Sequence, residues 1–277
     1  MSEITSISKD AIMDAVFNGI RKTINRFREQ PFLYFTESDI HASLSKDIME
    51  GNSDLFVLGK EQKDRSNIKV PVSLIHHEYP TNFRYQDSKL RDEGYNEDEI
   101  KSLTKIDGRH GDRGNYDLVI LNNTFIEKLF SHHQDILEAM KHIINKDKKL
   151  TEQRNTDDEI LFAIEVKFIH PFNAGNRQME TEVKKDNNKL HVALHSSNKF
   201  IMPINLIFCN SDHVQSNNNS IIENIKEDLK NKTPQGVCSI FIESYISGNT
   251  KKTIKPIFTF TPISPDRNWA MKLESVL

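Results

Sequence analysis

The sequence predicts an α/β fold: a mixed central sheet flanked by helices, with an N-terminal helical segment (1–55) and a helical insertion (122–158). Three observations predict it. Short apolar runs of strand length, "YDLVIL" and "ILFAIEVKF", stand apart from longer stripes at helical spacing. From Met202 to Tyr245 the chain reads strand, helix, strand, a crossover unit of the kind that builds a parallel pair. Finally, 277 residues, 36% hydrophobic and 28% charged, are enough for one large domain (1–277) with a substantial core.

From Ser8 to Arg28, the residues Ile12, Ala15, Val16, Ile20, Ile24 and Phe27 recur at helical spacing, and Pro31 interrupts the pattern. A second helix opens at "TESDIHASLSKDIME", with Thr36 as N-cap, Asp39 completing a capping box and Gly51 able to end it. Residues Lys69 to Tyr79 read as a strand with Pro71 near its start and Pro80 stopping it. A polar connection follows, with a short helix at "NEDEIKSLTKI", and leads to the strand at "YDLVILN". Ile126, Leu129, Phe130, Ile136, Leu137, Met140, Ile143 and Ile144 trace the inserted helix, Thr124 to Asn145. After the strand at Ile160 to Phe168 come a helix from Gln178 to about Leu194 and a strand at "FIMPINLIFCN". A helix at "SIIENIKEDLKN", with Ser220 as cap, and two last strands around "SGNTKK" complete the pattern.

A net charge of −3 gives no global basic signature, so nucleic-acid binding would rest on local patches. Cys209 and Cys238 sit in apolar runs without CxxC spacing, which favours a reducing compartment over a disulfide framework or zinc ribbon. No apolar run approaches the roughly 18 residues of a membrane span, and "MSEITSISKD" lacks a signal-peptide core. A cytoplasmic protein with no membrane partner is therefore expected. With no Walker A loop, GxGxxG or GxSxG, NTP-driven, dinucleotide and α/β-hydrolase readings have no support.

"ILFAIEVKF" carries the chemistry. Side chains alternate faces along a strand, so Ile160, Phe162, Ile164, Val166 and Phe168 form one apolar face. Glu165 and Lys167 share the other, roughly 6–7 Å apart. Taken alone, they would be an ion pair where a sheet edge meets water. The second acidic strand changes this: if "YDLVIL" pairs with it, Asp117 and Glu165 can converge on one divalent ion. Carboxylates without thiolate or imidazole suit a hard ion such as Mg²⁺, with Mn²⁺ as a substitute. Lys167 would stand beside the ion, able to orient or help deprotonate the attacking water and to offset charge on the phosphorane.

Asp117 in "NYDLVIL" and Glu165-Val166-Lys167 in "FAIEVKF" resemble the motif of the PD-(D/E)xK nuclease superfamily, whose fold is restriction-endonuclease-like. "YFTESDIHASL" looks like the helix that often adds an acidic residue, here Glu37. "VSLIHHEYPT" looks like the first core strand, and the helix containing "DNNKL" like the one after the motif strand. The likeness runs loosely from residue 32 to 210. It implies metal ligation by Asp117, Glu165 and the Val166 carbonyl, with Lys167 positioning the water. Tyr116 replaces the motif proline, the insertion stretches the spacing between Asp117 and Glu165, and Gln178 is followed by Glu182 where a QxxxY motif would need tyrosine. The four cysteines of the superfamily's iron–sulfur branch are missing too.

Other residues carry two readings each. Glu37 lies in the first turn of a capped helix, where the dipole favours a carboxylate regardless of function. Glu78 either faces the site or ends a strand in solvent, and of His76 and His77 at most one can face a phosphate. His191 and His195 have zinc-pair spacing but lack the HExxH glutamate. Arg109, His110 and Arg113 lie among glycines before Asp117, and Arg84, Lys89 and Arg91 would extend a phosphate-binding patch; otherwise this is a solvated loop. Asp186 and Lys189, on the stripe of Met179 and Glu182, would support the site or touch substrate, or flank an amphipathic helix.

The expected function is a metal-dependent nuclease with nucleic acid as partner, DNA ahead of RNA on family grounds. A homodimer would suit cleavage of both strands of a duplex. The alternative is a catalytically inactive protein of the same fold, acting as a nucleic-acid-binding or interaction module. A non-nuclease hydrolase or transferase using the same carboxylates ranks below both.

Overall fold

In the computed structural model, the structure describes residues 8–50, 55–63, 66–84, 113–126, 160–169, 177–196, 201–211, 219–247, 250–263 and 269–277. Helix α1 (Lys9–Glu29) starts at Ser8, whose side chain accepts a hydrogen bond from the Ala11 N–H, and it buries the stripe read from the sequence. Pro31 opens a single 3₁₀ turn, Pro31–Leu33. Helix α2 (Glu37–Met49) then begins on a complete capping box between Thr36 and Asp39. The two helices cross closely at Gly19, where an added Cβ would come within 2.7 Å of the Ile48 Cα. Thr23 and Arg26 bind the buried Asp47 carboxylate across the same crossing.

Strands β1 (Phe56–Lys63) and β2 (Ser66–Ser73) form a separate antiparallel pair. The main sheet runs β3 (Ile75–Arg84), β4 (Arg113–Leu121), β5 (Ile160–Ile169), β6 (Met202–Asn210) and β7 (Cys238–Ser247). Strands β8 (Thr250–Thr253) and β9 (Ile257–Phe260) both pair antiparallel with β7. β3–β4 and β4–β5 are antiparallel, whereas β5–β6 and β6–β7 are parallel, so the sheet is mixed. Helices α3 (Arg177–Ser196) and α4 (Asn219–Lys232) are the crossovers that parallel pairing demands, and α5 (Trp269–Val276) ends the chain.

Helices cover both faces of the sheet. On one, α1 packs on the even-numbered residues of β5 and β6: Phe17 meets Phe162 edge-on at 5.9 Å, and Phe27 meets Phe168 and Phe208 at 6.0 and 5.1 Å. On the other, Met179 and Val183 of α3 and Ile222, Ile225 and Leu229 of α4 pack on Ile169, Ile207, Cys209 and Phe241. Among the described residues no helix is long and apolar enough to cross a membrane.

The structure differs from the sequence reading in several places. The run Lys69 to Tyr79 is two strands in two sheets, broken at the buried Leu74, whose N–H bonds to the Leu55 carbonyl. Pro80 does not stop β3, which continues to Arg84 with a register irregularity after Pro80. Strand β8 begins inside the stretch read as the turn "SGNTKK", and the last predicted strand shortens to β9, which starts after Pro256, a residue that cannot donate to a ladder. Ser220 lies inside α4 rather than at its cap. Strand β5 is central, with Glu165 buried, so its charges do not mark a wet sheet edge. Gly51, the short helix at 96–106 and the inserted helix beyond Ile126 lie outside the described residues.

Candidate metal centre

The site forms where β4 leaves β5. The ladder between them runs from Leu121↔Ile160 to Leu118↔Ile164 and ends there. β4 stays paired to β3 through Tyr116 and Asn115, and β5 stays paired to β6 as far as Ile169. Past Ile164, the β5 edge that faced β4 must find other partners. Carboxylates supply them: the Val166 N–H donates to Asp117 Oδ2 at 2.7 Å, and the Phe168 N–H to Glu37 Oε2 at 3.1 Å. Because the N–H and C=O of a strand residue share an edge, the Val166 carbonyl faces the same gap.

Glu37, the first residue of α2, and His41, one turn later, look into this gap from one helix face. Ligating atoms of Glu37, His41 and Asp117 all lie within 4.8 Å of one another. His41 Nε2 is 3.7 Å from Asp117 Oδ2, and the His77 ring lies 6.3 Å away with Nε2 2.7 Å from Ser45 Oγ. Lys167 Nζ sits 3.4 Å from Glu37, 3.7 Å from Glu182 and 3.6 Å from Asp186. Glu165, 1% exposed, instead turns to α3, where Lys189 Nζ contacts its Oε2 and donates to the Asn115 carbonyl at 2.9 Å.

These contacts leave negative charge in excess. Five carboxylates (Glu37, Asp117, Glu165, Glu182 and Asp186) share two ammonium groups, Lys167 and Lys189. Burial dominates the protonation of Glu37, Glu165 and Asp186: it raises Glu37 above the ordinary carboxylate range, Glu165 well above it and Asp186 to about 6, against the pull of the lysines. Burial alone would lower Lys167, but Asp186, Glu37, Glu182 and Asp117 outweigh it and the net shift is upward. Lys167 is thus held as a cation. Burial also lowers His41, despite Asp117 and Glu78, and so favours the neutral imidazole that binds metals.

The donor set fits a divalent cation. Glu165 Oε1, Asp186 Oδ2 and His41 Nε2 are buried without a hydrogen-bond partner, which is costly unless something else satisfies them. Carboxylates suit hard ions and imidazole suits transition metals, so a site combining them favours Mn²⁺ or a later metal more than an all-oxygen site would.

His41 escaped the sequence reading, although "ESDIH" places it four residues after Glu37 on a capped helix. Of the expected residues, the structure brings together Asp117, Glu37, Lys167 and the Val166 backbone; Glu165 adjoins them but is engaged by Lys189. Lys189 is buried at that pair rather than exposed. Arg84 and Arg113 face each other in the β3–β4 ladder, with side chains outside the described residues, as are Arg109, His110, Lys89 and Arg91. Glu78, in the left-handed region at φ 49°, is exposed and lies 3.5 Å from the Asn115 amide. His76 bonds the Ser73 carbonyl, and the described metal-capable cluster includes neither His76 nor His191. The side chain of His195 lies outside the described residues.

No family model, no curated protein and no solved structure matches this chain.

Proposed function

We propose that the protein is a metal-dependent nuclease of restriction-endonuclease-like fold, hydrolysing phosphodiester bonds with Mg²⁺ or Mn²⁺. One observation carries this reading: the Glu37–His41–Asp117 cluster lies beside a partly buried lysine cation at the parting of two central strands. Glu37, His41 and Asp117 would hold the ion, and the Val166 carbonyl faces the same space. A bound divalent ion lowers the pKa of its water and stabilises charge on the transferring phosphoryl group.

Lys167 positions that water and balances charge that develops on the non-bridging oxygens. Its raised pKa suits a fixed cation better than a base. Glu165 and Asp186 hold the two ammonium groups in place. DNA ranks ahead of RNA through the motif resemblance.

The test incubates the protein with labelled duplex DNA, single-stranded DNA and RNA, each with Mg²⁺, Mn²⁺ or EDTA. The expected result is metal-dependent cleavage, reduced about 10³-fold in Asp117→Ala, since a catalytic ion contributes several kcal/mol. Lys167→Ala should fall comparably. Metal binding without cleavage of any substrate would favour the inactive binding module instead. Cleavage that persists in EDTA would reject the mechanism.

A further inference from the structure

Resting on the metal reading above, we infer that the Lys189 ammonium fills a second cation position, so the site takes one divalent ion where the carboxylates could otherwise hold two. Three oxygens surround Lys189 Nζ: Glu165 Oε2 in direct contact, the Asn115 carbonyl at 2.9 Å and Asp186 Oδ1 at 3.9 Å. Two carboxylates and a backbone carbonyl are also the donors that a hard divalent ion uses. The position is built rather than incidental. Lys189 is 9% exposed and Glu165 1%, so neither end of the pair relaxes into water.

The position also adjoins the first. Asn115 lies two residues before Asp117 on β4, and Glu165 precedes Val166, whose N–H binds the Asp117 carboxylate. Two-metal hydrolases place their ions about 3.5–4 Å apart, sharing carboxylates between them. Here a covalently tethered monovalent charge stands at one of those places. The second oxygen of Glu165, Oε1, is buried without a hydrogen-bond partner, as an oxygen kept for a doubly charged ion would be. Its other neighbour across the sheet, Asn205, is itself fixed by a 2.9 Å bond to Asn187.

Lys189 therefore sets metal stoichiometry. The chemistry that remains is that of one ion held by Glu37, His41 and Asp117, with Lys189 supplying fixed positive charge where a second ion would sit. A tethered cation costs no metal affinity and cannot exchange.

The experiment titrates metal-stripped full-length protein with Mn²⁺ alone and reads stoichiometry by calorimetry. Wild type should bind one ion and Lys189→Ala two. The double variant Glu165→Gln/Lys189→Met, which removes both charges of the buried pair and so protects folding, should bind one. A single ion in Lys189→Ala would overturn the inference. So would loss of binding in the double variant, because Glu165 would then ligate the first ion. No binding by wild type would remove the metal centre itself, a separate failure recognised before any variant is compared.

Discussion

Two buried ionic clusters, both touching α2, are built differently. At the α1–α2 crossing, Asp47 is wholly buried and both its oxygens are satisfied. Oδ1 accepts from Arg26 at 2.7 Å, and Oδ2 accepts from Thr23 at 2.8 Å and from Arg26 at 2.9 Å. One carboxylate meets one guanidinium in a bidentate fork, and the charge closes. At the other end of α2, five carboxylates share two lysines, and buried oxygens of Glu165 and Asp186 go without hydrogen bonds. A pair that only holds helices together can be optimised until nothing is missing. A cluster that leaves charge and lone pairs open in a site largely closed to water is stabilised by a further cation, and that is the property a metal centre needs.

The contrast can be broken at either cluster. Removing the closed one should be costly for folding and irrelevant to metal. Asp47→Ala strands a guanidinium, so urea unfolding should show a loss of about 2–3 kcal/mol, moderated because Arg26 keeps a third of its side chain exposed. That loss should be the same in Mn²⁺ and in EDTA. A loss confined to the metal-loaded protein would place Asp47 in the site and erase the distinction.

A smaller effect should appear at the open cluster in the absence of metal. The folded pKa of Asp186, about 6, lies above its ordinary value of 3.8. A raised carboxyl contributes stability below its unfolded pKa and loses it as pH rises through the folded value. Measured in EDTA against Asp186→Asn, the wild type should therefore lose about 1–3 kcal/mol between pH 4 and 6, then level off. Lys167 and Lys189, both shifted upward, do not titrate in that window. A difference that stays flat with pH would mean that Asp186 is solvated and the cluster less closed to water.

Much of this arrangement was legible in the residues because it follows from period and spacing. Alternation along "ILFAIEVKF" separated the apolar face, packed on Phe17 and Phe27, from the face of Glu165 and Lys167. The capping box fixed the start of α2 and with it the place of Glu37. Crossover logic gave the β6–β7 pair its parallel sense. His41 was harder to see, because a histidine four residues after a glutamate is ordinary until a strand from distant sequence brings Asp117 to it. For Lys189 the sequence leaves site, substrate and charged flank open together, because helix periodicity shows which face a residue occupies but not that the facing sheet carries a buried carboxylate. The break at Leu74 was hidden for a related reason: a continuous apolar run looks alike whether one sheet or two receive it.

Whether the buried negative excess exists for a divalent ion is read most directly from thermal melting of the metal-stripped protein with and without Mn²⁺, beside Asp117→Ala. Carboxylates brought together for an ion repel without it. The wild-type Tm should therefore rise by about 5 °C or more when Mn²⁺ is a hundredfold above its Kd. Asp117→Ala, which relieves repulsion but leaves the Val166 N–H without its acceptor, should show no rise with metal. An unchanged wild-type Tm across that range, or an Asp117→Ala protein that gains as much as wild type, would contradict the metal centre.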